Sequence, residues 1–222
     1  DELTEARSRL AEDLAPDPSI LSLFPPDLRY ERTVLQELMK HPGNYQRAFF
    51  RIPPRIQTIF VHAYQSYLFN RLISMRVRME LPIDCPIPGD FLIRLDMPHA
   101  GRDSWVYVNE KNLEQRLEQV QRGEYGLAAP VPGYATKTPP SFQTEMLEEL
   151  LAEEKISLHM FRWRHHAALD SPGGLHLVGL TPIDIETWCE EDDLVTRFKL
   201  RKGAYATVVM RELMKNHPVN RI

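Results

Sequence analysis

The sequence predicts an α+β chain, in which a helix-rich first part with a small sheet precedes a short run of strands and a final helix. Two observations favour this class. Apolar residues recur every three or four positions through a long helix at residues 55–75, and stretches of alternating β-forming residues follow in the middle and near the end of the chain. The 222 residues, of which 43% are hydrophobic, are enough to bury a sizeable core.

The helices before the central one are predicted from apolar periodicity and from breaker residues. Residues 1–15 and 30–40 are amphipathic, and the sequence HPGN at residues 41–44 ends the second of these helices. A further short helix is expected at residues 44–50.

The helix at residues 55–75 follows a proline pair, which suits a helix start because the missing proline N–H would have no partner there. It is apolar nearly all round, and this predicts burial on several sides. Three polar residues, Gln65, Ser66 and Asn70, would then lie among apolar neighbours and need hydrogen-bond partners, whether their role is structural or functional.

After residue 75 the pattern alternates between strands and helices. Strands are predicted at residues 90–95, 104–108, 124–130, 157–164, 175–180 and 195–200. Helices are predicted at residues 112–121, 141–152 and 205–215, and Ser141 is the expected N-cap of the second. A change of composition near residues 165–175 is the best candidate for a domain boundary.

Several classes of function are disfavoured by the sequence. No apolar run approaches the roughly 20 residues that span a bilayer, and the chain opens with Asp1 and Glu2 rather than a signal peptide, so a cytoplasmic protein with no membrane partner is expected. Cys85 and Cys189 are isolated thiols, and the adjacent His165 and His166 would point to opposite faces of a strand. We therefore expect no metal site among these residues.

Basic residues are concentrated in two stretches of a chain whose net charge is −4. Residues 41–80 carry six Lys or Arg and one acidic residue, residues 194–222 carry seven and one, and residues 141–193 carry three and twelve. This distribution is typical of a local phosphate-facing surface on an acidic body, although clustering of solvated charges by chance explains it equally well. The candidates for contacts to nucleic acid are Arg47, Arg51, Arg201 and Lys202.

Two long motifs carry a resemblance to a known family. The sequence FVHAYQSYLFN at residues 60–70 and the sequence FKLRKGAYATVVMRELMK at residues 198–215 resemble, in the same order, the central helix and the C-terminal strand-to-helix motif of the TruD-type tRNA pseudouridine synthases. The sequences PGD at residues 88–90 and PGY at residues 132–134 are similar to weaker family positions. The resemblance covers most of the chain from about residue 30 onward.

The resemblance implies a fold and an activity. Residues 1–170 would be the TruD-specific inserted domain, and residues 171–222 would be the C-terminal part of a pseudouridine synthase catalytic domain. The complete protein would be an isomerase that converts uridine in tRNA to pseudouridine without a cofactor, and the missing N-terminal half of the catalytic domain would be a partner of this chain. The alternative is a non-catalytic RNA-binding fragment with the same fold.

The resemblance also assigns residues. The aromatic side chain at Phe198 would line the uridine pocket, while ordinary core packing is the equally favoured alternative for a residue in a strand. The nucleophilic aspartate of the family belongs to a Gly-x-x-Asp-Lys-like motif that this chain lacks, so it is expected in the missing N-terminal part and not among these residues. The tripeptide at residues 94–96 resembles the catalytic motif of other pseudouridine synthases, but its context leads us to interpret Asp96 as a residue at a strand end.

Overall fold

The computed structural model describes residues 2–12, 15–95, 104–164, 166–201 and 203–215. Its helices and small antiparallel sheets confirm the α+β class. The chain divides into two compact units. Unit 1 comprises Asp1–Tyr67, Gly133–Ala135 and Ser157–Pro172, and unit 2 comprises Leu68–Pro132, Thr136–Ile156 and Gly173–Ile222.

Unit 1 is built from helices. These are α1 (Glu2–Glu12), α2 (Pro18–Ser22), α3 (Arg29–Lys40), α4 (Tyr45–Phe49) and the first part of α5 (Pro54–Arg78), with short 3-10 turns at Leu158–Phe161 and Ala167–Leu169. A buried cluster of Ala6, Ile20, Phe24 and Leu35 joins α1, α2 and α3. Helix α2 was not expected, because Asp17 and Pro18 indicate a turn. The carboxylate of Asp17 instead accepts a hydrogen bond from the Ile20 amide at 2.9 Å and caps a helix that starts at the proline.

Helix α5 is not buried on several sides, so that prediction is wrong. Its buried residues lie along one face, at Gln57, Gln65, Leu68, Leu72 and Arg76. The large apolar residues that remain exposed are Ile59, Phe60, Tyr67 and Val77. Apolar residues occur nearly all round the helix, but the other described residues of the chain pack against only one side of it.

Two of the three polar residues singled out on α5 are also not buried. Ser66 and Asn70 are exposed, and the Ser66 hydroxyl donates to the His62 carbonyl at 2.9 Å within the same helix. A serine that returns its hydroxyl to the preceding turn needs no neighbouring segment. Only Gln65, which is 5% exposed, is a buried polar group as expected.

Unit 2 contains a four-stranded antiparallel sheet. The order is β2 (Trp105–Tyr107), β1 (Phe91–Arg94), β3 (Tyr125–Val131) and β4 (Gly174–Leu177). Because successive side chains point to opposite faces, Leu92 and Leu127 pack on one side against α6 (Leu113–Gln121), and Phe91 and Ala128 pack on the other. Helix α7 (Phe142–Glu153) begins at Ser141, whose side chain accepts from the Thr144 amide at 3.3 Å, and so confirms the predicted cap.

A buried ion pair anchors the start of β1. Asp90 is fully buried and accepts from both Nη groups of Arg76, at 2.6 and 2.9 Å, and from the Gln143 amide at 2.6 Å. Gly89 just before it has φ of 101°, and a Cβ at that position would lie 2.7 Å from the Phe142 ring. The Pro-Gly-Asp sequence therefore joins α5, α7 and the sheet inside unit 2.

The last elements of unit 2 are a hairpin and a helix. Strands β5 (Ile183–Glu190) and β6 (Asp193–Lys199) pair antiparallel through a two-residue turn in which Glu191 has φ of 52°. Helix α8 (Ala206–Met214) follows. All residues of β5 are exposed, so the hairpin has no buried face on that strand in this chain.

The predicted set of strands needs two corrections. The strand predicted at residues 157–164 is wrong, because Leu158–Phe161 forms a 3-10 turn with Phe161 buried. These residues belong to unit 1, whose described part contains no sheet edge with which a strand could pair. Strand β5 was not predicted, although Ile183 and Ile185 alternate with acidic residues as in a strand, and all of its residues are exposed.

None of the helices among the described residues is long and apolar enough to cross a membrane.

Candidate functional site

Phe198 lies near the end of β6, in the hairpin. Its side chain is half-buried. The pairing of Ile183 with Lys199 and of Glu186 with Arg197 leaves two residues of β5, Asp184 and Ile185, opposite Phe198. Such a bulge bends a strand and changes the direction of nearby side chains, and bulges are common next to active sites.

The residues around this bulge combine a left-handed backbone conformation with ion pairs between the two strands. Asp184 has φ of 51°, and its carboxylate pairs with the Lys199 ammonium group at 2.6 Å. Arg197 on the same strand pairs with Glu186 across the hairpin and lies over the Trp188 ring at 5.9 Å. The cations flanking Phe198 in β6 are thus paired with carboxylates of β5, which leaves Phe198 as an aromatic residue among neutralised charges.

Arg201 is exposed just after β6, and one Nη group donates to the Leu95 carbonyl. Lys202 and Asp96 lie outside the described residues, as does His165. Phe198 and Arg201 belong to unit 2, whereas Arg47 and Arg51 belong to unit 1.

Arg47 and Arg51 meet on one carboxylate. The Nε of Arg47 donates to Oε1 of Glu37 at 2.5 Å, and the Nε of Arg51 donates to Oε2 at 3.1 Å. Glu37 is only 3% exposed, while the two arginine side chains are about half exposed. The imidazole of His41, one turn after Glu37 on the chain, lies 3.7 Å from the same Oε1.

The charge of Glu37 is stabilised by these contacts. The hydrogen bond from Arg47 is the main cause that lowers the pKa of Glu37 below its ordinary value, with a further contribution from Arg51, and burial opposes both. The carboxylate is therefore ionised at neutral pH and holds two cations at the surface. The sequence does not single out Glu37, because nothing in the pattern of α3 distinguishes a buried glutamate from a solvated one.

The basic stretches of the sequence are partly neutralised in space. Arg71 pairs with Glu153 and Glu154 at 2.7 and 3.1 Å, and Arg76 is buried on Asp90. The excess of positive charge counted along residues 41–80 is therefore smaller on the surface than in the sequence. Arg47 and Arg51 together keep a net positive charge, because the two share the single carboxylate of Glu37.

An aromatic cluster lies beside these residues along the chain. The ring of Phe50 stacks on that of His166 with centroids 3.7 Å apart, and the Trp163 ring meets Phe50 edge-on at 6.3 Å. His166 is exposed and Phe50 half-buried. Two basic residues, Arg162 and Arg164, are exposed in the same loop. This combination was not predicted, because it depends on contacts of Trp163 and His166 with Phe50, which is distant from them in sequence.

The described residues contain no group of three or more His, Cys, Asp or Glu side chains placed to hold a metal ion. Cys85 and Cys189 are free thiols. Burial is the main cause that raises the pKa of the Cys85 thiol, and the nearby Asp84 adds to it, so this residue is not an activated nucleophile.

Apolar side chains remain exposed on the hairpin and on α8. They include Ile185, Trp188, Leu194, Tyr205, Val208, Leu213 and Met214. Large exposed apolar patches mark interaction sites in soluble proteins, so these two neighbouring elements of the chain are candidates for contact with other protein.

Comparisons with known proteins support the same family over nearly the whole chain. The family model of tRNA pseudouridine synthase D (TruD) matches residues 1–213. Among curated proteins, one from Thermococcus gammatolerans named probable tRNA pseudouridine synthase D is 38% identical over 89% of this chain and 47% of its own length. A protein of the same name from Pyrococcus furiosus is 34% identical over 96% of this chain and 51% of its own.

A solved structure agrees with these sequence matches. The crystal structure of a Methanosarcina mazei protein assigned as tRNA pseudouridine synthase D superposes with a TM-score of 0.80 at 27% identity, over 99% of this chain and 52% of that one. The chain thus spans about half the length of the relatives it matches.

Proposed function

Because the chain belongs to the tRNA pseudouridine synthase D family, we propose that the complete protein isomerises uridine to pseudouridine in tRNA. The bond from the ribose to N1 of uracil breaks, the base turns, and C5 is joined to the ribose instead. C5 loses its proton and N1 gains one, so the product is an isomer of the substrate, and the resemblance to the family implies that no cofactor takes part. The observation that carries this proposal is the family match over residues 1–213. The expected location of the reaction is the cytoplasm.

The chain supplies part of the enzyme in this proposal. Residues 1–170 are the inserted domain of the family, and residues 171–222 complete the catalytic domain. The nucleophilic aspartate comes from the part of the relatives' length that this chain does not span. The exposed apolar residues of the hairpin and α8 support this division, because they need a covering surface of matching chemistry.

Phe198 is proposed to stack on the target base. An enzyme that acts on a base must take it out of the stack and hold it against aromatic or apolar groups. The half-buried ring, the bulge opposite it and the pairing of its charged neighbours support this role. A pocket wall of this kind needs an apolar surface without a competing cation.

Substitution of Phe198 tests this role in the complete protein. Phe198→Ala should lower turnover more than stability, since base stacking is worth about 1–3 kcal/mol, which corresponds to roughly a 5- to 150-fold change. Turnover on unmodified tRNA and the melting temperature are measured together, with Thr196→Ala on the same strand as the control. A lower melting temperature with normal turnover would identify Phe198 as a packing residue only.

Contacts to tRNA are proposed for Arg47, Arg51, Arg201 and Lys202. Neutralising all four should weaken tRNA binding and reduce its salt dependence, because each phosphate contact contributes to the salt slope. Binding is measured from about 50 to 200 mM salt, the range over which phosphate contacts dominate. Unchanged affinity with an unchanged slope would place the RNA on other residues.

The test of the activity itself is direct. The complete protein is incubated with unmodified tRNA, and pseudouridine is measured by nucleoside analysis. Formation of pseudouridine is expected. Binding of tRNA without any pseudouridine would instead favour an RNA-binding protein that has kept the fold and lost catalysis.

A further inference from the structure

Glu37 has an unusual environment for a glutamate on a surface helix. It is 3% exposed, yet both of its oxygens accept hydrogen bonds from half-exposed arginines. One arginine would be enough to neutralise a buried carboxylate. With the second arginine, the group of Glu37, Arg47 and Arg51 has a net charge of +1. The imidazole of His41 also lies 3.7 Å from Oε1 of Glu37.

The arginines are held by only one of their donor groups. A guanidinium has five N–H donors, and here the described contacts use the Nε–H of Arg47 and of Arg51. Among the residues that the structure describes, no acceptor lies within hydrogen-bond distance of the Nη groups of either side chain. Planar Nη pairs on exposed guanidinium groups match the oxygens of a phosphate.

The backbone also fixes the position of this group. Asn44 accepts from the Arg47 amide at 3.1 Å and caps α4, and Arg51 follows the end of that helix. Glu37 lies in α3, in the same unit. The two arginines thus extend from one short helical segment and are drawn together by a carboxylate from another.

We propose that Glu37, Arg47 and Arg51 form a phosphate-binding fork, in which the buried Glu37 is a positioning residue that orients both guanidinium groups toward one RNA phosphate. The inference rests on the proposed function, because it takes the bound phosphate to belong to tRNA. The net charge of +1 on the fork is the complement of a single phosphodiester.

Neutralising Glu37 distinguishes positioning from overall charge. Glu37→Gln makes the protein more positive by one, so an effect of charge alone would strengthen tRNA binding. Loss of the fork would instead weaken it, by about tenfold, and would reduce the salt slope by about one phosphate contact. The matched control is Glu153→Gln, which makes the same charge change at an exposed carboxylate paired with Arg71 in unit 2.

A second variant covers the case in which Glu37→Gln does not fold. The double variant Arg47→Lys with Arg51→Lys keeps both charges but loses the planar donor pairs. It should bind tRNA about tenfold more weakly than the wild type if the fork holds a phosphate. Affinity is measured by titration of unmodified tRNA, and folding by circular dichroism.

The outcomes separate the two proposals. Wild-type affinity or tighter binding in a folded Glu37→Gln protein, or wild-type affinity in the lysine double variant, would overturn the fork and leave the isomerase proposal intact. Normal RNA binding that responds to these variants, without pseudouridine formation by the complete protein, would overturn the isomerase proposal and leave the fork. Absence of tRNA binding by the wild-type protein would overturn the fork as well.

Discussion

At the scale of single residues, the ion pair between Arg76 and Asp90 is the most sharply defined feature of unit 2. Both side chains are essentially buried, and Asp90 accepts hydrogen bonds from Arg76, Gln143 and the Ile87 amide. Asp90→Asn leaves the arginine charge buried without its partner. The expected loss is about 3–5 kcal/mol in the free energy of unfolding.

The control for Asp90 is an exposed pair in the same unit. Glu153→Gln removes the ion pair between Glu153 and Arg71. Because the Glu153 carboxylate is mostly exposed to solvent, the free energy of unfolding should fall by at most about 1 kcal/mol. Both variants are compared by urea denaturation. Equal effects in the two variants would mean that the buried pair contributes no more than a surface one.

The carboxylate of Glu37 gives a prediction about pH. Its folded-state pKa lies below the ordinary value of 4.5, so its contribution to stability is present above that value and is lost as the pH falls through the lower folded-state pKa. The difference in unfolding free energy between the wild type and Glu37→Gln should therefore be constant from pH 7 to about pH 5.5 and shrink below about pH 4.5. Denaturation at a series of pH values measures it. A difference that persists unchanged to pH 3 would contradict the pairing.

At the scale of elements, the cap of α7 is a local feature that the sequence predicts correctly. Ser141 is extended, with φ of −165°, and accepts from the Thr144 amide, while Glu145 lies in the first turn. Ser141→Ala should cost about 1 kcal/mol in the free energy of unfolding, and Ser141→Asp should restore most of it. Thermal denaturation checks both variants. No loss in the alanine variant would show that the hydroxyl is not a cap in solution.

The elements that local patterns predict are those whose stability is local. Helices α3, α6 and α7 and strands β1 and β3 have their own periodicity, caps or alternation. Strand β5 and the turn at Leu158–Phe161 are not determined by their local pattern, because a strand forms only where a partner strand is available. Strand β5 obtains one from β6 across a tight turn, and residues 157–164 have none in the described part of unit 1.

Only part of the candidate site could be predicted, because some of its contacts join segments that are distant in sequence. Motif resemblance singles out Phe198 directly, and charge counting singles out Arg47 and Arg51. Glu37 and the stack of Phe50 on His166 depend on contacts between segments distant in sequence, which no local pattern reports. The bulge opposite Phe198 likewise follows from the pairing of two strands, one of which was not expected.

At the scale of the whole molecule, large apolar residues remain exposed on the hairpin and α8. The exposed fractions of Leu194 and Tyr205 are 67% and 70%, and α8 presents Val208 and Leu213. The exposed side of α5 adds a second such surface. Neither surface is explained by the described residues alone, and both are consistent with a chain that spans about half the length of its relatives.

The final prediction is that this 222-residue chain alone makes no pseudouridine and tends to self-associate. The proposed reaction needs an aspartate, and the family's Gly-x-x-Asp-Lys-like pattern is absent from the sequence. Losing the nucleophile or base of an enzyme leaves only the contribution of binding and electrostatics. The exposed apolar residues of the hairpin and α8 would pair with those of other copies.

The measurement combines an activity assay with sedimentation. The purified chain is incubated with unmodified tRNA and assayed for pseudouridine, first alone and then with the remaining part of the protein supplied separately. We expect no product and concentration-dependent association in the first case, and product with a defined complex in the second, because the added part supplies the aspartate and covers the apolar residues. Product from the chain alone that is abolished by Asp96→Ala would contradict this, and would make the Arg-Leu-Asp tripeptide at residues 94–96 the catalytic site.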